Sequence, residues 1–256
     1  MKTFRNDLNI LLEKLKAKEN FAFVRFSDGE EFILQNKHLQ ILDNKVIAGD
    51  KIFGKGFTPE DHKNFIPEEH QFFREALQAA FEYQKHNYFK GICCKCCVGE
   101  QRNKWFLDQL HDHKHLTWAN LLVNSNYSQF ISTFIPEFAK HDIVLICNEN
   151  ADISGIPFNI EKDFRVGKNC IINNFNIIGE IKDYLCNKKN KVVLFSASSL
   201  SEVAIHQLYD TNDQCTYIDI GTTFNYYMKM SLDRGYLLAK WIHTNNHGMG
   251  GRTCIW

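Results

Sequence analysis

Asp28 and Glu30 are two carboxylates one residue apart, in the run Val24-Arg25-Phe26-Ser27-Asp28-Gly29-Glu30. Hard oxygen donors at this spacing suit Mg²⁺ or Mn²⁺, which bind a few carboxylates and then substrate phosphates. Gly29 between them is expected to let the backbone turn sharply. Arg25 could pair with a phosphate or hold one carboxylate in place. The same residues also have a purely structural reading. Ser27-x-x-Glu30 is a capping box, which starts a helix with no chemistry at all. On spacing alone the structural reading is the stronger, and the two coexist if Asp28 is the main ligand.

A second candidate is Phe195-Ser196-Ala197-Ser198-Ser199. Small residues where a strand turns into a helix let backbone N–H groups approach a phosphate at the positive helix end. The hydroxyls of Ser196, Ser198 and Ser199 add donors. The alternative is an ordinary turn, with Ser199-x-x-Glu202 as another capping box. The run is neither a Rossmann glycine fingerprint nor a P-loop. A third candidate is Asp219-Ile220-Gly221-Thr222, where a strand-end carboxylate can accept hydrogen bonds from sugar hydroxyls or cap the next helix.

Cys93-Cys94-Lys95-Cys96-Cys97 resembles a metal site at first sight. Structural zinc usually takes two separated pairs of ligands, and on a strand these four side chains would alternate between faces. Buried strand cysteines are therefore the preferred reading. The nine cysteines are an odd number in a chain with no export signal, which disfavours a disulfide framework. His111, His113 and His115 read as a solvated helix end, and His206 as a surface or core histidine. There is no G-x-S-x-G elbow and no H-E-x-x-H, which removes the simplest hydrolase and zinc-protease readings.

These candidates need strands and helices to bring them together. Residues 4–18 put Leu8, Leu11, Leu12 and Leu15 on one helical face, and 21–26 read as a buried strand. Further helices are expected over 67–86, with Pro67 in the first turn, and over 100–113, 127–140, 175–186 and 201–209. Strands are expected over 88–98, 116–123, 142–147, 191–196 and 215–220. The alternation predicts an α/β fold: a Rossmann-like, mostly parallel sheet with helices on both faces, in one domain over 1–256. Ligands of such sheets bind at the carboxyl ends of the strands, where the three acidic or serine-rich runs fall.

Composition narrows the function. The chain has 256 residues, 30 basic and 30 acidic, so no basic excess supports nucleic-acid binding by phosphate neutralisation. No apolar run reaches the roughly 20 residues that span a bilayer, and the N-terminus lacks the apolar core of a signal peptide. A cytoplasmic protein is expected.

In order, the R-F-S-D-G-E segment, the D-I-V-L-I strand, FNIIGEIKDYL, VVLFSASS and I-D-I-G-T with Asn225-Tyr226-Tyr227 resemble the GT-D-type glycosyltransferases over roughly residues 20–230. The stretch 190–227 is the more specific part. The resemblance implies a Rossmann-like domain distinct from the two commonest glycosyltransferase folds. It implies that Asp28 and Glu30, as the D-x-E motif, hold Mn²⁺ or Mg²⁺ against a nucleotide-sugar diphosphate. Arg25 matches the family's arginine, whereas Ser27 stands where glycine is common. Asp219-Ile220-Gly221 matches D-I-G-H, with Thr222 in place of histidine. The turn at 196–199 bears serines where relatives bear glycine. Ser125-Asn126-Tyr127 falls where relatives carry Arg-Pro-Tyr, so Tyr127 alone matches.

The resemblance thus implies metal-assisted transfer of a sugar from a nucleotide-sugar donor, a UDP-sugar favoured, to a glycan or glycoprotein acceptor. Asp28, Glu30 and Asp219 are the expected catalytic residues. Asp219 would contact sugar hydroxyls, or act as base in an inverting reaction. Arg25, Ser27, Gly29, Ser196, Ser198, Ser199, Gly221, Thr222, Asn126 and Tyr127 would bind the donor. Asn124 is a weaker candidate, and Trp118, Phe224 and Tyr226 could stack on a base or sugar but read more readily as core. A homodimer is one assembly to consider. A nucleotide- or glycan-binding module without turnover, or another metal-dependent α/β enzyme of phosphorylated ligands, are the alternatives. The Gly-rich tail 245–256 could be a lid, an interface or a docked tail.

Overall fold

The computed structural model describes residues 6–42, 45–54, 62–110 and 112–237. His111, Cys254 and the Gly-rich tail lie outside the described residues.

The chain starts with α1 (Asp7–Lys16), β1 (Ala22–Phe26) and α2 (Asp28–Leu34). Four short strands follow: β2 (Leu39–Leu42), β3 (Lys45–Ala48), β4 (Lys51–Gly54) and β5 (Lys63–Phe65). Next come α3 (Gln71–Glu82), β6 (Tyr88–Ile92), α4 (Lys95–Val98), α5 (Glu100–Asp108), β7 (Leu116–Trp118) and α6 (Tyr127–Phe138). The last part holds β8 (Ile143–Asn148), β9 (Ile160–Val166), α7 (Cys170–Asn173), α8 (Ile177–Leu185), β10 (Val192–Phe195), α9 (Leu200–Thr211) and β11 (Thr216–Asp219).

Seven strands form one parallel sheet in the order β7-β6-β1-β11-β10-β8-β9. Because all run the same way, their carboxyl ends share one edge. The central strands are apolar on both faces, as a sheet covered on both sides requires. Ala22, Val24 and Phe26 of β1 pack with Phe73, Leu77 and Phe81 of α3 and Val203, Ala204 and Leu208 of α9. Phe23 faces the other way, with Leu8 and Leu11 of α1 and Phe130 and Phe134 of α6. The expected α/β architecture is therefore present, with helices on both faces. The strands before residue 120 and those after 140 meet along one line, the β1–β11 pairing. This seam is a switch point in strand order, where parallel sheets bind ligands.

Four readings from sequence need correction. A second sheet, antiparallel and ordered β4-β3-β2-β5, occupies 39–65 and was not anticipated. Its strands are only three or four residues long, too short to show a clear alternation. β9 was missed as well: its first residues, Ile160 to Asp163, are exposed or half-buried, so it lacks an apolar run. The helix expected from Pro67 starts at Gln71, and Pro67 sits in the preceding turn, where its carbonyl accepts from the Gln71 amide. The strand expected over 88–98 ends at Ile92, and Lys95–Val98 is a helical turn. The cysteines therefore do not alternate across a strand.

Candidate active site at the carboxyl edge of the sheet

β1 carries Arg25 to this edge and delivers Ser27 and Asp28 just beyond it. The Ser27 N–H and hydroxyl donate to Glu30 Oε2 at 2.9 and 2.6 Å, so the capping box forms and α2 starts at Asp28. The structural reading of this segment is therefore present. Asp28 is exposed at the start of α2, where Oδ1 accepts from the Gly29 N–H. Glu30 is buried, 4% exposed, and points inward.

Glu30 Oε1 accepts from Lys63 Nζ at 3.3 Å and from the Ser199 hydroxyl, and Lys63 also donates to Ser199 at 2.6 Å. Lys63 comes from β5, so the unanticipated small sheet supplies the counterion. Burial works to raise the Glu30 carboxyl, but the Lys63 charge and the Ser199 and Ser27 hydrogen bonds outweigh it and hold the pKa down to about 2. Burial works against the Lys63 charge too, and Glu30 reverses this, raising the ammonium above its usual range. Both Glu30 oxygens are engaged by protein groups. The expectation of a metal-binding pair, Asp28 with Glu30, thus meets a geometry in which Asp28 alone faces solvent.

Gly29 has no left-handed backbone, contrary to the expected sharp turn; the positive-φ glycines are elsewhere. Its missing side chain leaves room for Lys63, whose Nζ would lie 3.2 Å from a Cβ placed there.

Arg25 and Asp219 cross the seam. Arg25 Nε donates to Asp219 Oδ2 at 2.7 Å and Nη2 to Oδ1 at 3.1 Å, a two-point pair. Asp219 Oδ1 also accepts from the Gly221 N–H at 2.9 Å. Burial opposes the Arg25 charge, but Asp219 outweighs it and the guanidinium is held charged. Burial raises the Asp219 carboxyl and Arg25 pulls against that rise. Gly221 has φ +49°, and a Cβ there would run into the Arg25 guanidinium. Both Asp219 oxygens are bonded within the protein and the residue is 2% exposed, so its carboxylate holds the Arg25 side chain in place.

The serine turn follows β10 and leads into α9. Ser198 is exposed with φ +53°, and Ser196 is half-buried. Ser199 is fully buried on Glu30 and Lys63, so its hydroxyl faces the interior and not a ligand. The second expected capping box does not form, because Ser199 makes no side-chain cap and Glu202 is buried. Glu202, which the sequence offered only as a capping-box acid, is 2% exposed and feels the charges of Glu30, Asp219 and Arg25. Burial, then the Glu30 and Asp219 charges, push its carboxyl well above the usual range, which favours the protonated form. No sign of this burial is visible in the sequence, since an acid in a helix's first turn is ordinary.

Thr222 hydrogen-bonds the Tyr236 hydroxyl, and Tyr236 packs on Tyr127 with ring centroids 4.9 Å apart. Tyr127 donates to the Thr223 carbonyl at 2.9 Å and is buried. Asn126 donates to the Leu121 carbonyl at 3.0 Å and bridges the loop before α6. Phe224 is core, whereas Trp118 is half-buried and Tyr226 is 57% exposed. The structure thus joins Arg25, Ser27, Glu30, Ser199 and Asp219 in two hydrogen-bonded groups and places Tyr127 and Asn126 in local packing. A cavity of about 230 Å³ lies elsewhere, lined by Tyr83, His86, Tyr88, Lys90 and His115 near the amino end of β6. That is the end opposite the one where parallel sheets bind ligands. Among the described residues, no helix is long and apolar enough to cross a membrane.

No protein-family profile and no curated protein matches the sequence. Solved structures do. A structure described as showing that the highly conserved domain of unknown function 1792 has a distinct glycosyltransferase fold aligns with a TM-score of 0.56. It is 14% identical, over 87% of this chain and 81% of the other. A structure described as a new glycosyltransferase (DUF1792) from Streptococcus sanguinis aligns with a TM-score of 0.51 at 14% identity, over 88% and 84% of the two chains. A selenomethionine-substituted DUF1792 domain gives 0.55, again at 14% identity. The chain therefore has the α/β architecture of the DUF1792 domains, a distinct glycosyltransferase fold.

Proposed function

We propose that this protein is a metal-assisted glycosyltransferase, moving a sugar from a nucleoside diphosphate donor, with a UDP-sugar favoured, to a glycan or glycoprotein acceptor. One observation carries the reading. Asp28 is exposed at the carboxyl end of β1, beside the seam, on a glycosyltransferase fold.

Mg²⁺ and Mn²⁺ are commonly held by one or two carboxylates plus substrate phosphates and water, so a single exposed carboxylate fits them. Asp28 would hold the ion, while Glu30, already neutralised by Lys63, lies outside the ligand set. An ion bound there would supply neutralisation of the charge growing on the departing diphosphate. The chain's own residues do the rest. Arg25, locked by Asp219, presents a fixed positive charge at the seam and stabilises the anionic leaving group without reorganising. Ser196 and Ser198, with nearby amides at the start of α9, would accept the diphosphate at the positive helix end. Glu30, through Ser27, sets where α2 starts and so where Asp28 points.

The test is turnover of UDP-sugars with Mn²⁺, followed as release of nucleoside diphosphate. Asp28→Asn should lower it by at least about 10²-fold, the scale for losing one preorganised electrostatic group. Full turnover in excess EDTA, or an Asp28→Asn variant as active as wild type, would overturn the reading.

A further inference from the structure

Cys93 follows β6 at the same sheet edge, and the next residues fold back on themselves. The sulfurs of Cys94, Cys96 and Cys97 all lie within 4.8 Å of one another. Cys94 and Cys96 Sγ are 2.7 Å apart. This gathering arises because Lys95–Val98 is a helical turn rather than the continuation of a strand. Asn120, just after β7, aims its amide at the cluster: Nδ2 lies 3.4 Å from Cys97 Sγ and 3.7 Å from Cys94 Sγ. An amide donor directed at sulfur favours the thiolate, the form that binds metal. Cys93, buried just after the end of β6, is not one of the three gathered sulfurs.

The geometry points to a thiolate site for one Zn²⁺ ion, held by Cys94, Cys96 and Cys97 with Asn120 as its outer hydrogen-bond donor. Three sulfurs of this softness select zinc over Mg²⁺ or Mn²⁺, so the site does not compete with Asp28 for its metal. Two sulfurs on a tetrahedral zinc at about 2.3 Å sit about 3.8 Å apart. Cys94 and Cys96 must therefore part by about 1 Å, which the exposed Cys96 can supply. Binding takes three thiols to thiolates and releases three protons to solvent, leaving the fourth position of the ion to water. A bound ion would pin the loop after β6 to the residues just after β7, at the edge that bears Asp28. The inference does not depend on the glycosyl-transfer reading.

The full chain, reduced and freed of metal, would be given ZnCl₂ and then dialysed against metal-free buffer. About one equivalent of zinc should remain, measured by elemental analysis. In the wild type, zinc should slow alkylation of Cys94, Cys96 and Cys97 by iodoacetamide about tenfold or more, read peptide by peptide, because a metal-bound thiolate is shielded. The exposed Cys186 should react equally with and without zinc. Cys97→Ser should lose the retained zinc and Cys186→Ser should keep it. Less than about one-fifth of an equivalent retained, or alkylation of the three cysteines unchanged by zinc, would overturn the proposal. The alkylation measurement needs no variant to fold.

Discussion

Arg25 on β1 and Asp219 on β11 form a two-point ion pair across the β1–β11 seam, with bonds of 2.7 and 3.1 Å. The pair ties the amino-terminal part of the sheet to the carboxyl-terminal part at the place where ligand would sit. It works only because residue 221 has no side chain.

Gly221→Ala should therefore do two things. A non-glycine residue at φ +49° costs about 1–2 kcal/mol, and the new methyl displaces the Arg25 guanidinium. The variant should unfold at lower denaturant and lose donor turnover, whereas Thr222→Ser, one residue on, should do neither. Equilibrium unfolding and turnover measured on both variants check this.

Lys63 and Glu30 form the buried pair behind Asp28. Lys63→Met leaves the Glu30 charge without its counterion and should cost about 3–5 kcal/mol. Lys63→Met with Glu30→Gln should recover part of the loss. If the single and double variants are equally destabilised in urea, the pair is not coupled.

The Glu30 pKa, about 2 when folded against 4.5 as reference, makes a pH prediction. Its stabilisation is fully present above pH 4.5 and is lost as pH falls through the folded value near 2. Acid unfolding should therefore be shallower for Glu30→Gln than for wild type over that window, measured by circular dichroism.

Glu202 has the opposite sign. Its folded pKa lies above the reference 4.5, so as pH rises past 4.5 the unfolded chain gives up a proton that the native state keeps. Stability falls over that window. Glu202→Gln mimics the protonated acid and removes the loss. Its melting temperature should exceed wild type by about 2–4 °C per kcal/mol recovered, more at pH 8 than at pH 5. An equal shift at both pH values would show that Glu202 does not titrate there.

Asp28 and Glu30 should separate cleanly despite sharing one motif. UDP with Mn²⁺ should raise the wild-type melting temperature by mass action. Asp28→Asn should melt within about 0.5 kcal/mol of wild type, as an exposed residue does, and lose that ligand-induced rise. Glu30→Gln should melt lower and keep a rise of its own. Differential scanning fluorimetry with and without Mn²⁺ reads both.

The elements of the parallel sheet were legible because their cause is local. Leu8, Leu11, Leu12 and Leu15 fall on one helical face, and all four are buried. β1, β8, β10 and β11 are largely buried runs, with apolar residues on both faces where they meet core. The capping box at Ser27 was also written in four consecutive residues, Ser27 to Glu30. By contrast, what Glu30 binds was decided by Lys63, 33 positions away, and by Ser199, 169 positions away. Asp219 was readable as a strand-end acid, but its partner Arg25 lies 194 residues off. The cysteine cluster depended on one helical turn replacing a strand. Sequence by itself thus determined the buried strands and amphipathic helices of the parallel sheet and which residues reach its carboxyl edge, but not the short strands of the second sheet or β9. Tertiary structure alone decided which carboxylates keep an open face, because burial and counterions come from segments distant along the chain.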